Sequence, residues 1–258
     1  DRGLVAEPAQ PATPDMPGDA IGGAVVVESA SAFDRDGRSL KGKLEGSHQE
    51  LSGETSPKAA FNYSEVFGDT FGVALGVNYQ KRTFESDNTE VEYDNYDGGA
   101  DDDLAAVEIQ RRKYTIERER TGANLNFDWR PDDANRYYLR TLYSRFDDAE
   151  TRQRTIFGLG DGEITALGDG RYQVDDLPAD AISKRMRYRT KEENTLAVSL
   201  GGENRLSAAV LDYKVGYTKT RERVNDEMEA RFDYDGGDLS ATLDQNSGIP
   251  GLSLSDSG

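Results

Sequence analysis

The segment from Phe71 to Tyr79 constrains the fold more than any other part of this chain. It reads FGVALGVNY, with large apolar residues at every odd position and small or polar residues at every even position. Side chains of a β-strand point alternately to two faces, so this period of two predicts a strand. One face suits lipid and the other a crowded interior, which is typical of a transmembrane β-strand. The predicted lipid-facing residues are Phe71, Val73, Leu75, Val77 and Tyr79, and Asn78 is predicted to face the lumen.

The same alternation recurs in two later segments, 123–129 and 209–217. Their predicted lipid-facing residues are Leu125, Phe127, Trp129, Leu211, Tyr213 and Val215. Their predicted lumen-facing residues are Asn124, Asn126, Asp128, Asp212 and Lys214. Aromatic residues at the strand ends, such as Trp129 and Tyr79, fit the aromatic girdles of membrane barrels.

The lengths of the connections separate a barrel from a soluble sandwich. Strands are predicted at about 40–50, 58–67, 70–83, 112–130, 135–146, 188–201 and 206–221. Short turns are predicted at Gly68–Asp69, Pro131–Asn135 and Gly201–Asn204, and long polar loops at about 84–111, 147–187 and 222–258. Short turns at one end and long loops at the other are typical of outer-membrane barrels. A soluble antiparallel sandwich shares the alternation but not this asymmetry, and it is the alternative.

The bulk composition is polar. Mean hydropathy is -0.77, 31% of residues are charged and the net charge is -18. No apolar run is long enough for a transmembrane helix. Barrel strands escape such averages because only every second residue faces lipid. The acidic balance argues against a nucleic-acid partner, which requires clustered Lys and Arg.

Several motifs resemble TonB-dependent outer-membrane receptors, in the same order along the chain. TPDMPGDAIGGAVVV (Thr13–Val27) and SAFDRDG (Ser31–Gly37) resemble the junction between plug and barrel. The later segments that agree are YSEVFGD (Tyr63–Asp69), IERERTGANLNFDWRPDD (Ile116–Asp133), YLRTLYSRFDD (Tyr138–Asp148) and GGENRL (Gly201–Leu206). The similarity is greatest to the branch common in proteobacteria that degrade complex carbohydrates.

The resemblance implies an all-β, antiparallel transmembrane barrel of about 22 strands with a plugged lumen. About seven of those strands are predicted in this chain, which is therefore expected to be a fragment. Residues 1–33 would be the end of the plug and a linker, and residues 34–258 the first part of the barrel with long extracellular loops. The implied location is the outer membrane of a Gram-negative cell, in contact with lipid and lipopolysaccharide.

The implied function is uptake of a scarce or bulky substrate, driven by the periplasmic TonB complex through a segment absent here. A saccharide is favoured over an iron-siderophore. A small outer-membrane barrel acting as an adhesin or structural protein is one alternative, and a soluble carbohydrate-binding β protein is another.

Little in the sequence points to catalysis, so no enzyme activity, cofactor or metal site is expected. The chain has no cysteine, which excludes disulfides and thiolate chemistry. Its single histidine, His48, lies in a polar stretch. The carboxylates crowd into predicted loops rather than converging in pairs around a bond, as glycoside hydrolysis requires.

Two polar segments are candidates for binding. The acidic stretch from Glu85 to Asp103 is predicted to be an outer loop, because it lacks the residue order of a calcium loop. Tyr93, Asp94, Asn95, Tyr96 and Asp97 in it combine aromatic rings with polar groups, as sugar sites do. Local packing of these tyrosines is the alternative. A basic cluster from Arg111 to Arg120 predicts either lumen-side ion pairs or contacts with lipopolysaccharide.

Overall fold

A computed structural model describes residues 30–100 and 103–256. The strands in these ranges are β1 (Ser39–Gln49), β2 (Glu54–Phe67), β3 (Phe71–Asp94), β4 (Ala105–Trp129), β5 (Asn135–Gly158), β6 (Glu163–Gly168), β7 (Arg171–Leu177), β8 (Ile182–Arg205), β9 (Val210–Asp233), β10 (Leu239–Asp244) and β11 (Gly251–Asp256). All strand pairs are antiparallel. The prediction of an all-β, antiparallel fold is therefore confirmed.

The larger sheet contains seven strands in the order β1-β2-β3-β4-β5-β8-β9. Apart from the excursion between β5 and β8, each strand pairs with the next one along the chain. The sheet is not closed, and β1 and β9 form its two edges within the described residues. The prediction of about seven strands holds for this sheet, whereas closure into a barrel remains a prediction.

Five of these strands are much longer than the alternation predicts. The loop expected at 84–111 shrinks to residues 95–104, because β3 and β4 stay paired through most of it. The strands also extend far into the regions 147–187 and 222–258. Cross-strand ion pairs hold the polar halves together, such as Lys81–Glu117 at 2.9 Å and Lys113–Glu85 at 3.1 Å.

The turn expected at Gly201–Asn204 is also wrong, since β8 runs through it. The chain turns at residues 206–209, where the Leu206 amide donates to the Ala209 carbonyl at 2.8 Å. A side chain on Gly201 would collide with Tyr138 and would lie 2.6 Å from the Tyr213 carbonyl. This glycine therefore permits close approach inside a strand rather than a turn.

The smaller sheet has the order β11-β10-β7-β6 and occupies regions predicted to be loops. The Gly168–Gly170 segment, expected to be part of a loop, is the hairpin turn between β6 and β7, and all three of its residues have positive φ. Alternate residues of β10 and β7 point into a buried cluster that includes Val174 and Leu243. Ile109 of β4 and Phe157 of β5 complete this core, so the smaller sheet packs on the far end of the larger one.

The residues before β1 contact the other end of the larger sheet. A single 3-10 turn spans Ala32–Asp34 and is capped by Ser31, whose hydroxyl accepts from the Phe33 amide at 3.2 Å. Residues 1–29 of the predicted plug segment lie outside the described residues. No helix in the described part of the chain is long and apolar enough to cross a membrane.

Candidate functional site

The register of the larger sheet gathers the predicted lipid-facing residues on one face. Residues directly opposite one another across a strand pair share a face. We call a set of residues that lie directly opposite one another across neighbouring strands a row. Five successive rows on this face, from the row of Phe71 to the row of Tyr79, form what we call the apolar band. The three middle rows are those that contain Val73, Leu75 and Val77 with their cross-strand partners. Eight residues separate the first row from the last, which corresponds to about 26 Å along the strand.

The first row of the apolar band is almost entirely aromatic. It crosses six strands and consists of Phe67, Phe71, Trp129, Tyr137, Gly202 and Tyr213. The Trp129 and Tyr137 rings stack with centroids 5.2 Å apart. Trp129 is 50% exposed, so the row forms a surface rather than a core. Leu211 precedes this row on the same face, and Leu125, Phe127 and Val215 lie within the band.

At the other boundary of the apolar band, charged residues appear first on β5 and β9, in the row of Tyr79, and then across the sheet. Beyond the row of Tyr79, the next row on the same face consists of Lys81, Glu119, Asp147, Glu192 and Arg223. Four charged residues fall inside the band. Arg145 and Arg221 lie in its last row, and Arg145 pairs with Asp147 and Glu192. Glu65 accepts a hydrogen bond from the Tyr63 hydroxyl, and Lys219 lies on the edge strand β9.

The residues predicted to face the lumen all lie on the opposite face, which we call the polar face. They are Asn78, Asn124, Asn126, Asp128, Asp212 and Lys214. Small residues stand beside them: Gly122 lies opposite Asn78, and Gly76 lies opposite Asn124. Exchange of the two faces by a register slip would place amides among the exposed apolar residues, so the alternation fixes this register.

The segment before β1 lies on this polar face. The Asn126 side chain is fully buried and donates to the Ala30 carbonyl at 3.1 Å. A side chain on Gly72 would lie 2.8 Å from the Phe33 ring, so the glycine leaves room for that ring. The Arg130 guanidinium lies 4.0 Å from the centre of the same ring. Asp128, also buried, pairs with Arg140 at 2.6 Å.

The predicted ligand residues do not form one loop. Tyr93 and Asp94 end β3, and Asn95, Tyr96 and Asp97 begin the connection to β4. All except Tyr96 are exposed. Their contact with a ligand stays a prediction.

Tyr96 takes part in a local network. Its hydroxyl donates to Asp103 at 2.5 Å, and the Tyr172 hydroxyl donates to the other oxygen of that carboxylate at 2.8 Å. The hydrogen bond to Asp103 raises the pKa of Tyr96 to about 12. The hydrogen bonds from Tyr96 and then Tyr172 lower the pKa of Asp103. Tyr96 therefore joins the connection after β3 to the smaller sheet, which fits the local-packing interpretation.

The polar face carries an accumulation of arginine well beyond the apolar band, and of its members the sequence interpretation singled out only Arg112, as part of the basic cluster. One row crosses four neighbouring strands and contains Arg112, Arg154, Arg185 and Arg231. Arg152 and Arg187 stand opposite each other in the adjacent row, and Arg189 lies in the row after that. We call these residues the arginine rows. Their sequence signal is a period of two, as RQR in β5 and RMRYR in β8.

Only some of these arginines have an acidic partner. Arg154 pairs with Glu229 at 3.2 Å, and Arg231 donates to Asp233 at 2.5 Å. Arg112 pairs with Glu90, and Arg187 with Glu227. Desolvation, and then repulsion by Arg152 and Arg185, lower the pKa of Arg154, which lies outside the apolar band.

Three arginines of the rows have no partner among the described residues. The buried Nε–H groups of Arg152, Arg185 and Arg189 donate no hydrogen bond there. Glu150 and Glu227 lie opposite Arg189 on its two neighbouring strands, but neither forms an ion pair with it in the described part of the chain, and Glu227 pairs with Arg187 instead. Buried N–H groups without partners are costly, so three in one place distinguish this region from the rest of the sheet.

The single histidine takes part in a local side-chain contact. His48 is exposed, and its Nδ1 lies 3.1 Å from the Thr55 hydroxyl, in a side-chain pair across the first hairpin.

Residues 30–100 and 103–256 contain no group of three or more His, Asp or Glu side chains placed to hold a metal ion. A cleft of about 740 Å³ lies at the height of the arginine rows, and Arg111, Lys184, Phe232 and Ile249 line it.

No protein-family model, curated protein or solved structure matches this chain. The resemblance to TonB-dependent receptors therefore rests on the sequence motifs alone.

Proposed function

We propose that this chain forms part of the wall of an outer-membrane receptor and transporter of the TonB-dependent kind. Such a protein takes up a scarce or bulky substrate, here a saccharide rather than an iron-siderophore. The observation that carries the proposal is the apolar band with its aromatic first row. Its length of about 26 Å along the strand agrees with the apolar girdle of about 25 Å on outer-membrane barrels.

The opposite face supports the same proposal. It carries small and polar side chains at the height of the band, and the Ala30–Asp34 segment lies against it. A barrel wall next to a plug requires this combination of lipid on one side and protein on the other. The proposal includes further strands that pair with β1 and β9, because unpaired backbone groups in lipid cost several kcal/mol each.

Transport in this proposal involves no chemical step. The ligand binds at the extracellular ends of the strands and on the plug, and the energy-transducing partner shifts the plug to a conformation that releases it. Such a shift requires the partner to bind one plug conformation more tightly than the other.

This chain contains no cysteine, so single labels can be introduced into its strands. Single cysteines replace Leu75 and Leu125 in the apolar band and, as matched controls, Asn78 and Asn124 on the polar face of the same strands, where Asn78 is exposed. A nitroxide label is attached to each variant of the full-length protein in phospholipid vesicles. Labels at Leu75 and Leu125 should be relaxed mainly by oxygen, which concentrates in lipid, and the control labels mainly by a water-soluble nickel complex. Equal access of the nickel complex to both faces would refute the proposal.

A further inference from the structure

We propose that the arginine rows bind the oxyanion groups of a ligand that carries at least two negative charges. The inference deepens the proposed function, on which it rests for the nature of the ligand: a transported saccharide would be an acidic one, with carboxylate or sulfate groups. Guanidinium groups suit this role because each presents planar N–H donors that match the oxygens of such groups.

The first argument is the arrangement of charge. Three adjacent rows hold seven arginines, and four of them stand side by side across β4, β5, β8 and β9. Like charges directly opposite one another destabilise a sheet. The chain as a whole has a net charge of -18, so this concentration of positive charge does not follow from its composition. A bound anion would offset the repulsion.

The second argument is the lack of partners. Carboxylates from the same face pair with four of the seven arginines. Arg152, Arg185 and Arg189 retain buried Nε donors without acceptors in the described part of the chain. Arg152 and Arg185 lie on neighbouring strands in adjacent rows, so one ligand can reach both. These donors supply the hydrogen bonds that the oxyanions would accept.

The third argument is position. The arginine rows share a face with Asn124 and Asn126, and they lie beyond the apolar band on the side away from the short turns. In the proposed receptor this is the extracellular part of the lumen wall. A ligand entering from outside would meet the arginine rows before it reaches the segment Ala30–Asp34.

The test compares two double variants of the full-length protein in detergent. R152Q/R185Q removes two unpartnered guanidiniums from the polar face. R111Q/K184Q removes the same charge at the same height from the opposite face, where both residues line the cleft. Isothermal titration calorimetry measures binding of oligogalacturonate, of an oligomeric dextran sulfate and, as the neutral control, of methyl-esterified oligogalacturonate.

The wild-type protein should bind at least one acidic oligosaccharide and not the neutral ester. R152Q/R185Q should weaken this binding about tenfold or more, since hydrogen bonds to charged oxygens are among the stronger ones in proteins. R111Q/K184Q should leave it within about twofold, and R152K/R185K, which keeps the charge, should bind better than the glutamine variant. Added NaCl should weaken binding.

Several results would overturn the inference. These are equal binding of the neutral ester, an equal loss in both glutamine variants, a loss only in R111Q/K184Q, or binding of lipopolysaccharide phosphates but of neither acidic saccharide. Unchanged fluorescence of Trp129 shows that a variant is folded. If the nitroxide labels report lipid but no acidic saccharide binds, only this inference fails. If acidic saccharide binds while the apolar band is open to water, the transport proposal fails and the anion site stands.

Discussion

The effect of Val198→Lys on the stability of the sheet distinguishes a sheet that contacts lipid from a sheet that is surrounded by water. Val198 lies in the third of the five rows of the apolar band, opposite Thr141 and Tyr217. It is about 13 Å along the strand from either boundary, which is close to the middle of a bilayer in the proposed receptor. A lysine at that depth on the lipid face of a barrel costs about 2–4 kcal/mol.

The neighbouring residue provides a matched control. Ala197 lies on the polar face, opposite Leu142 and Thr218, so a lysine there would meet the lumen rather than lipid. Val198→Lys should therefore reduce the folding equilibrium constant about 30- to 700-fold relative to Ala197→Lys, at about 1.4 kcal/mol for each factor of ten. In a soluble sheet both lysines reach water, and the two variants would differ by less than about 1 kcal/mol.

The measurement is urea unfolding of the protein in phosphatidylcholine vesicles. Trp129 is the only tryptophan and lies in the first row of the apolar band, so its fluorescence reports on the sheet itself. If Val198→Lys and Ala197→Lys unfold at the same urea concentration, the apolar band does not contact lipid and the reasoning is refuted.

Two further predictions concern packing and pH. Gly76→Val should destabilise the sheet by about 1–3 kcal/mol, because the new side chain would overlap the Asn124 amide and crowd that of Asn62, 3.2 Å away. Gly42→Val, with open space around it, should cost much less in the same urea titration, and equal losses would contradict the packing argument. The lowered pKa of Asp103 contributes stability that is present above the ordinary carboxyl pKa of about 4 and is lost as the pH falls through the lowered pKa. In thermal unfolding measured against pH, Asp103→Asn should lack that loss of stability in acid, whereas Asp97→Asn should retain it. If Asp103→Asn shows the same pH profile as the wild-type protein, the Tyr96–Asp103–Tyr172 network is not the source of the loss.

The sequence was sufficient to separate the two faces because the alternation is local. The predicted face of each residue, for example Asn78 or Val215, follows from the residues two positions before and after it. A register slip of one residue would exchange the two faces. The strand ends were not predictable in the same way. Beyond Tyr79 the alternation becomes polar on both faces, and the pairing depends on partners such as Lys81 and Glu117, which are far apart in sequence.

The arginine rows show the same limit. The period of two in RQR and RMRYR is visible in the sequence, and it places the arginines of each strand on one face. Their alignment into one row requires the register that sets Arg154 opposite Arg185. The smaller sheet is similar, since the alternation of Leu239, Ala241 and Leu243 is present in the sequence. These residues become core only because the row of Ile109 and Phe157 lies beneath them.

The length of the strands separates the two proposed activities in space. A strand of 24 residues, such as β3, spans about 79 Å, whereas the apolar band occupies about 26 Å of it. Unpaired guanidiniums on the other face of the sheet, within the apolar band, would face the low dielectric of a bilayer in the proposed receptor, where desolvation costs most. The arginine rows instead lie on the polar face and beyond the band, on strands whose pairing with neighbours fixes their spacing. In the proposed receptor, a sheet that continues beyond the membrane can thus hold the mutually repelling arginines in register. Its stability in lipid depends on the apolar band instead.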